Sequence, residues 1–456
     1  MIFLKRKRLI FWLIRAYIKR WGKVIFTVLF VGILLAILLF FNRKLLLSVV
    51  PITNIETVGI AGDFREDEFP NNLPEEVISK TSRGLTKVLP NGQIAPDIAK
   101  KWDIKDDGHT FIFYLNDDIT YSNGKKLDSS TLSYNFADVK IEKPGKTVII
   151  FKLKDKYSPF LVTLANRKVF NKDLVGVSDY KIKDIKTKDG FVQSIELISK
   201  KDKKKLKYIF YPTQSALKDA YALGDVSKII DINNLAYGDK SNFEKFKNTT
   251  ISKQINNNKI ATVFINNLDP VLSDKKVRKA LSYSVPDKFD EGERTHTLYR
   301  KDSWAYNKNE DFKRDLEQAK KQLEDSDASI SGGLKIKLKV LRPYRTIAAD
   351  LAKSWKDIGI ETEIEVVDGI PSDFQAFLGE LPVLKDPDQY TLWHTGQPNN
   401  ITNYKNLRID KLLEDGRRTY DIKERKKIYE DFQKYLIDDA PAIFLYFPYT
   451  YTLTRR

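Results

Sequence analysis

Residues 334–367, LKIKLKVLRPYRTIAADLAKSWKDIGIETEIEVV, decide the fold class. Apolar side chains fill every second position from Leu334 to Val340, the period of a strand with one buried face. The spacing then changes. TIAADLAKSWKDIG is an amphipathic helical pattern that stops at Gly359, the residue type suited to a left-handed helix end. IETEIEVV returns to period two. Strand, helix and strand in succession predict a βαβ unit with parallel pairing and a right-handed crossover, hence a mixed α/β fold.

Similar signals extend in both directions. WDIKDDGHTFIFYL (102–115) reads as a hairpin, with Asp107-Gly108 supplying the tight turn and Phe111, Phe113 and Leu115 on one face. Asp128-Ser129-Ser130 caps an expected helix over TLSYNFADV (131–139). Strands are expected at TVIIFKL, SIELIS and LKYIFY, and a helix at DLEQAKKQLED. RIDKLLEDGRRTYDIKERKKIYEDFQKYLIDDA reads as two helices before a final aromatic strand, AIFLYFPYTYTL.

The N-terminal segment has a different character. From Trp21 to Phe41 only Lys23 is charged, and these 21 residues would span roughly 31 Å as a helix, against about 30 Å of hydrocarbon. Seven basic residues and no acidic one precede the span, against two, Arg43 and Lys44, close after it, so the positive-inside rule predicts residues 1–20 in the cytoplasm and everything after Asn42 outside. A cleaved signal peptide would have a shorter apolar core and a small-x-small site; Arg43, Lys44 and Leu45–Leu47 follow here instead, so a retained cell-membrane anchor is expected.

The net charge of +17 has the same origin. Ten basic residues and no acidic ones precede residue 51, which leaves +7 for the rest, an ordinary excess. The charge is therefore no sign of a nucleic-acid partner. Cysteine is absent, so disulfides, thiolate nucleophiles, cysteine–metal sites and a lipid-modified cysteine are all excluded. Three scattered histidines (His109, His296, His394) give no metal-ligand spacing, and neither G-x-S-x-G nor a Gly-rich phosphate loop occurs. No catalytic residues, cofactor or metal are expected. Asp386 and Asp388 are close in sequence, but Pro387 between them suits a rigid turn better than an acid/base pair.

The order of motifs resembles the extracellular solute-binding proteins of family 5, the peptide- and nickel-binding group linked to ABC transporters. GLTKVLPNGQIAPDIAKKWDIKDDGHTFIFYLNDDITYSNGKKLDSSTLSYNF is similar to the family's opening signature. LKDAYALGDVSKIIDI, FINNLDPVLSDKKVRKALSYSV, IAADLAKSWKDIGIETEIEVV, DPDQY, NYKNLRIDKLLEDGR and DDAPAIFLYFP follow in the family's order, between Gly84 and Pro448. The resemblance implies a periplasmic-binding-protein-like (type II) two-lobed cleft with a hinge. Residues 51–265 with 435–456 would form one lobe and 266–434 the other, with a reduced third lobe over about 97–170. It also implies capture of a peptide or other small solute for an ABC importer permease.

In that family the ligand lies between the lobes as an added strand, and the stretch before the DPD-like motif, here Gly379, Glu380 and Leu381, offers backbone contacts. Peptide-binding members carry an Asp four residues before the motif's Pro to meet the ligand's amino group; Pro387 puts Val383 there. Either Glu380 or Asp386 takes over that ammonium, or the ligand has no free amino terminus. Trp393 is either a cleft wall or a core residue. The missing Asp and the reduced third lobe leave a second reading open, an interaction protein such as a receptor or extracytoplasmic chaperone on the same scaffold.

Overall fold

The computed structural model describes residues 55–456 except 70–71, 172, 239–240 and 327–332, together with scattered helical positions between 15 and 31. The expected basic segment 1–20 and anchor Trp21–Phe41 fall largely outside the described residues. Among the described residues no helix is long and apolar enough to cross a membrane. Glu56–Arg456 forms one compact unit.

The βαβ unit is present as read. Leu334–Leu341 pairs in parallel with Ile360–Val367 along its whole length, and Arg345–Lys356 is the crossover helix. Ile347, Leu351 and Trp355 are buried on one face of that helix, and the Trp355 indole N–H donates to the Leu281 carbonyl at 3.2 Å. Gly359 adopts φ +88°, the left-handed conformation its position demands. On the polar face, Lys335–Glu363 (3.2 Å) and Lys337–Glu365 (2.8 Å) pair across the two strands.

These strands belong to a 12-stranded sheet centred on the last strand, Ala442–Arg455. Its first half pairs with Lys259–Ile265 and Gly292–Arg294; its second half pairs with Thr249–Ile255 and Lys228–Ile232. One strand thus runs through both halves of the sheet. Lys259–Ile265 is buried on both faces, which explains its nearly unbroken apolar run. Ala261, Val263 and Ile265 enter a core with Leu338, Leu351 and Trp355. Ile260 and Phe264 face the opposite way, into a core with Phe377, Trp393, Leu413 and Phe432. Val58, Ile195 and Tyr208 form a further core in the other half.

A separate four-stranded antiparallel sheet contains Ala99–Lys105, Thr110–Leu115, Val148–Leu153 and Val139–Gly145. The predicted Asp107-Gly108 turn joins the first two strands, with Phe111, Phe113 and Leu115 buried as expected. The predicted helix over 131–139 does not form. Asp128 caps only a three-residue 3-10 turn, Ser129–Thr131, and the chain then extends. Leu132, Tyr134 and Phe136 alternate there, and Tyr134 and Phe136 both pack on Phe151, so burial at period two outweighs the cap.

Candidate functional site

The segment singled out in the sequence begins inside the large sheet. Ala376–Pro382 pairs antiparallel with Lys259–Ile265 along its full length, whereas its parallel pairing with Leu334–Leu341 reaches only Leu378. Gly379 is required by its own strand: a Cβ there would lie 2.6 Å from the Phe377 ring. Glu380 accepts from the Lys259 ammonium and from the Tyr344 hydroxyl, both at 2.7 Å. Burial, reinforced by Glu380, raises the Tyr344 pKa. Leu381 is a core residue.

The loop after this strand is fastened from below. The Val383 N–H donates to the Asn258 carbonyl at 2.8 Å. Asp386 accepts from both terminal guanidinium nitrogens of Arg425, at 2.5 and 2.9 Å, and from the Asp388 N–H at 2.9 Å. Asp388 accepts from the Arg417 Nε at 2.9 Å. Burial raises the Asp388 pKa although Arg417 opposes it. The Tyr299 hydroxyl donates to the Pro387 carbonyl at 2.6 Å. The two aspartates are therefore anchors for the turn, each taken by an arginine from the helical pair Leu407–Arg418 and Ile422–Asp439. Trp393 is 1% exposed and packs edge-on against Phe444, as a core residue.

A cavity of about 440 Å³ opens beside this loop. Val383, Leu384 and Lys385 line one side, and the turn at Leu89, Pro90 and Gly92 lines the other. That turn joins the short strands Thr86–Val88 and Ile94–Pro96. The cavity is bridged at one edge by Trp304, whose N–H donates to the Asn91 carbonyl at 3.0 Å and whose indole donates to the Gly92 carbonyl at 3.2 Å. Glu75, Lys87, Lys168, Arg300 and Asp302 complete its charged lining. Among the residues picked out in the sequence, Val383 lines this cavity, while Gly379, Glu380, Leu381, Asp386 and Trp393 stand in the strand, loop and core beneath it. The charged lining residues were missed because they are dispersed from Glu75 to Lys385 and belong to no shared motif.

A model of the bacterial extracellular solute-binding proteins, family 5 (middle region), matches residues 129–403. The chain belongs to this family. A curated relative, the probable D,D-dipeptide-binding periplasmic protein of Escherichia coli (strain K12), is 21% identical over 412 residues, 77% of this chain and 78% of the relative. Among solved structures, the Campylobacter jejuni protein NikZ in complex with Ni(L-His) matches at a TM-score of 0.70 and 22% identity, covering 89% of this chain and 95% of that one. The oligopeptide-binding protein AppA of Bacillus subtilis, in complex with a nonapeptide, matches at 0.63 and 22% identity, covering 88% and 94%. The fold is thus the two-lobed α/β fold of periplasmic binding proteins. Family 5 members are ligand-binding components of transport systems, not enzymes.

The three histidines of this family 5 protein sit in separate surroundings. His109 contacts the Leu153 carbonyl, His296 lies beside Arg294 and Phe312, and His394 is near Glu414. Among the described residues no group of three or more His, Cys, Asp or Glu side chains is placed to hold a metal ion.

Proposed function

We propose that this family 5 protein captures a peptide or peptide-like solute in the cavity between the Leu89–Gly92 turn and the Val383–Lys385 loop, and hands it to an ABC importer permease. The observation that carries this reading is the position of that cavity. It lies between two elements far apart in sequence, is of ligand size, and is bridged at its edge by Trp304. The peptide-binding names of the E. coli and B. subtilis relatives support the peptide class. Gly379, Glu380 and Leu381 extend beyond the parallel partner, whose pairing ends at Leu378, and lead directly into the Val383–Lys385 loop that lines the cavity. The match across the family makes transport a better reading than a receptor or chaperone role.

Within this reading the lobe boundary falls at residues 256–258 and again near Pro448, because Lys259–Ile265 and Ala442–Pro448 pair with the strands of the 266–434 lobe. The four-stranded sheet is the reduced third lobe. Trp21–Phe41 is the membrane anchor, with the binding lobes outside.

Titration calorimetry of the full-length protein in detergent against pools of random short peptides tests the capture step. Saturable heat is expected with at least one pool; none from any pool, with the protein folded, contradicts it. Alkaline extraction of membranes tests the anchor. The full chain should stay in the pellet, and its release would refute an integral anchor.

A further inference from the structure

We propose that the solute is anionic and has no free amino group, its carboxylate being held by Lys168 and Lys385. This inference rests on the cavity being the capture site. The cavity is lined by four cations, Lys87, Lys168, Arg300 and Lys385, against two carboxylates, Glu75 and Asp302. Both carboxylates are engaged. Glu75 lies between Lys385 at 3.2 Å and Lys168 at 3.7 Å, and Asp302 pairs with Arg300. Asp97, whose carboxylate also feels Lys87 and Lys168, pairs with Arg83 at 2.9 Å. The lining therefore carries an excess of two positive charges.

Lys168 matters most in this set. Its side chain is only 15% exposed, and its contact with Glu75 is too long for a hydrogen bond. A largely covered lysine whose carboxylate contact is long is a ready anion site, because a charge-assisted hydrogen bond would restore what burial removes. Lys385 meets the other oxygen of the same Glu75 carboxylate, so the two lysines share one carboxylate and keep one positive charge for the carboxylate of a ligand.

An ammonium has no comparable place. Glu380 is held by Lys259 and Tyr344, and Asp386 by Arg425 in a buried pair. Apart from Glu75, the lining contributed by the loop is apolar at Val383 and Leu384, with the neutral Asn257 and Asn258 also in the wall. A charged amine there would lose water and gain no carboxylate, next to surplus positive charge. An acyl group meets neither difficulty.

The test uses one random tripeptide pool prepared with four end-group combinations: free amine or N-acetyl, each with free acid or amide. Each is offered to the full-length protein in detergent, and retained peptides are counted by mass spectrometry. The N-acetyl, free-acid pool should be retained on the order of tenfold better than its amide counterpart and than the free-amine amide pool. Raising NaCl from about 50 to 500 mM should narrow that gap. The double variant Lys168→Gln/Lys385→Gln should abolish it, with a cooperative thermal unfolding transition as evidence of an intact fold. Equal or better retention of the free-amine, free-acid pool, or of either amide pool, overturns the inference and leaves capture standing. Retention of no pool overturns capture itself.

Discussion

Asp386 and Arg425 are 39 residues apart in sequence, yet their side chains meet in a buried two-point ion pair, at 2.5 and 2.9 Å. The pair ties the loop that follows Ala376–Pro382 to the helix Ile422–Asp439. Burial opposes charge on Arg425, but Asp386 more than compensates and raises its pKa. Removing the carboxylate strands the guanidinium. Asp386→Ala should cost about 3–5 kcal/mol of stability, read as a lower unfolding midpoint. Unchanged stability with loss of solute binding would instead assign Asp386 to the ligand.

Trp304 closes the edge of the cavity through the Asn91 and Gly92 carbonyls. If the cavity is the capture site between the lobes, Trp304 is half of a contact across it, and its removal should favour the open form. Trp304→Ala is expected to weaken solute binding on the order of tenfold, mainly through faster dissociation. Stopped-flow measurement with a bound peptide checks this, and an unchanged dissociation rate would contradict it.

A second strut joins the Asp107-Gly108 turn to Tyr420, between the helices Leu407–Arg418 and Ile422–Asp439. The Tyr420 hydroxyl donates to the Gly108 carbonyl at 2.8 Å and accepts from the Tyr157 N–H at 3.0 Å. A Cβ on Gly108 would lie 2.1 Å from the Tyr420 ring, and the residue has φ +93°. Gly108→Ala should therefore destabilise the protein by more than Tyr420→Phe, for which about 1–3 kcal/mol is expected. Thermal unfolding of the two variants gives the order; the reverse order would show that the strut is not formed.

His296 gives a pH signature. Burial and then the neighbouring Arg294, which donates to its Nδ1 at 3.1 Å, push its pKa down to about 4. The unfolded chain takes up this proton near pH 6.5. Stability from the neutral ring is thus fully present above about pH 6.5 and is lost as pH falls toward about 4. His296→Gln should flatten the stability curve in that window. An unchanged slope would place the titration elsewhere.

Much of the architecture was legible because period carries it. Leu334–Val340 and Phe111–Leu115 alternate, and the helical face of Ile347, Leu351 and Trp355 is unmistakable. The same rule misled at 131–139, where a good cap at Asp128 competed with the alternation of Leu132, Tyr134 and Phe136, and burial against Phe151 prevailed. Period also fails to say which buried face borders a cavity. Leu381, two residues before Val383 in the cavity wall, belongs to a core, as does Trp393, ten residues after it. Pairings such as Asp386–Arg425 and Asp388–Arg417, and the convergence of Lys168 with Lys385, are products of the tertiary fold and leave no local pattern to read.

The most direct test is to fill the cavity from the loop that lines it. Leu384 is 39% exposed, so Leu384→Trp adds bulk to the site at little cost to folding. Capture in this cavity predicts an unchanged unfolding midpoint and a loss of affinity on the order of tenfold or more for the retained solute. Wild-type affinity in Leu384→Trp would contradict it.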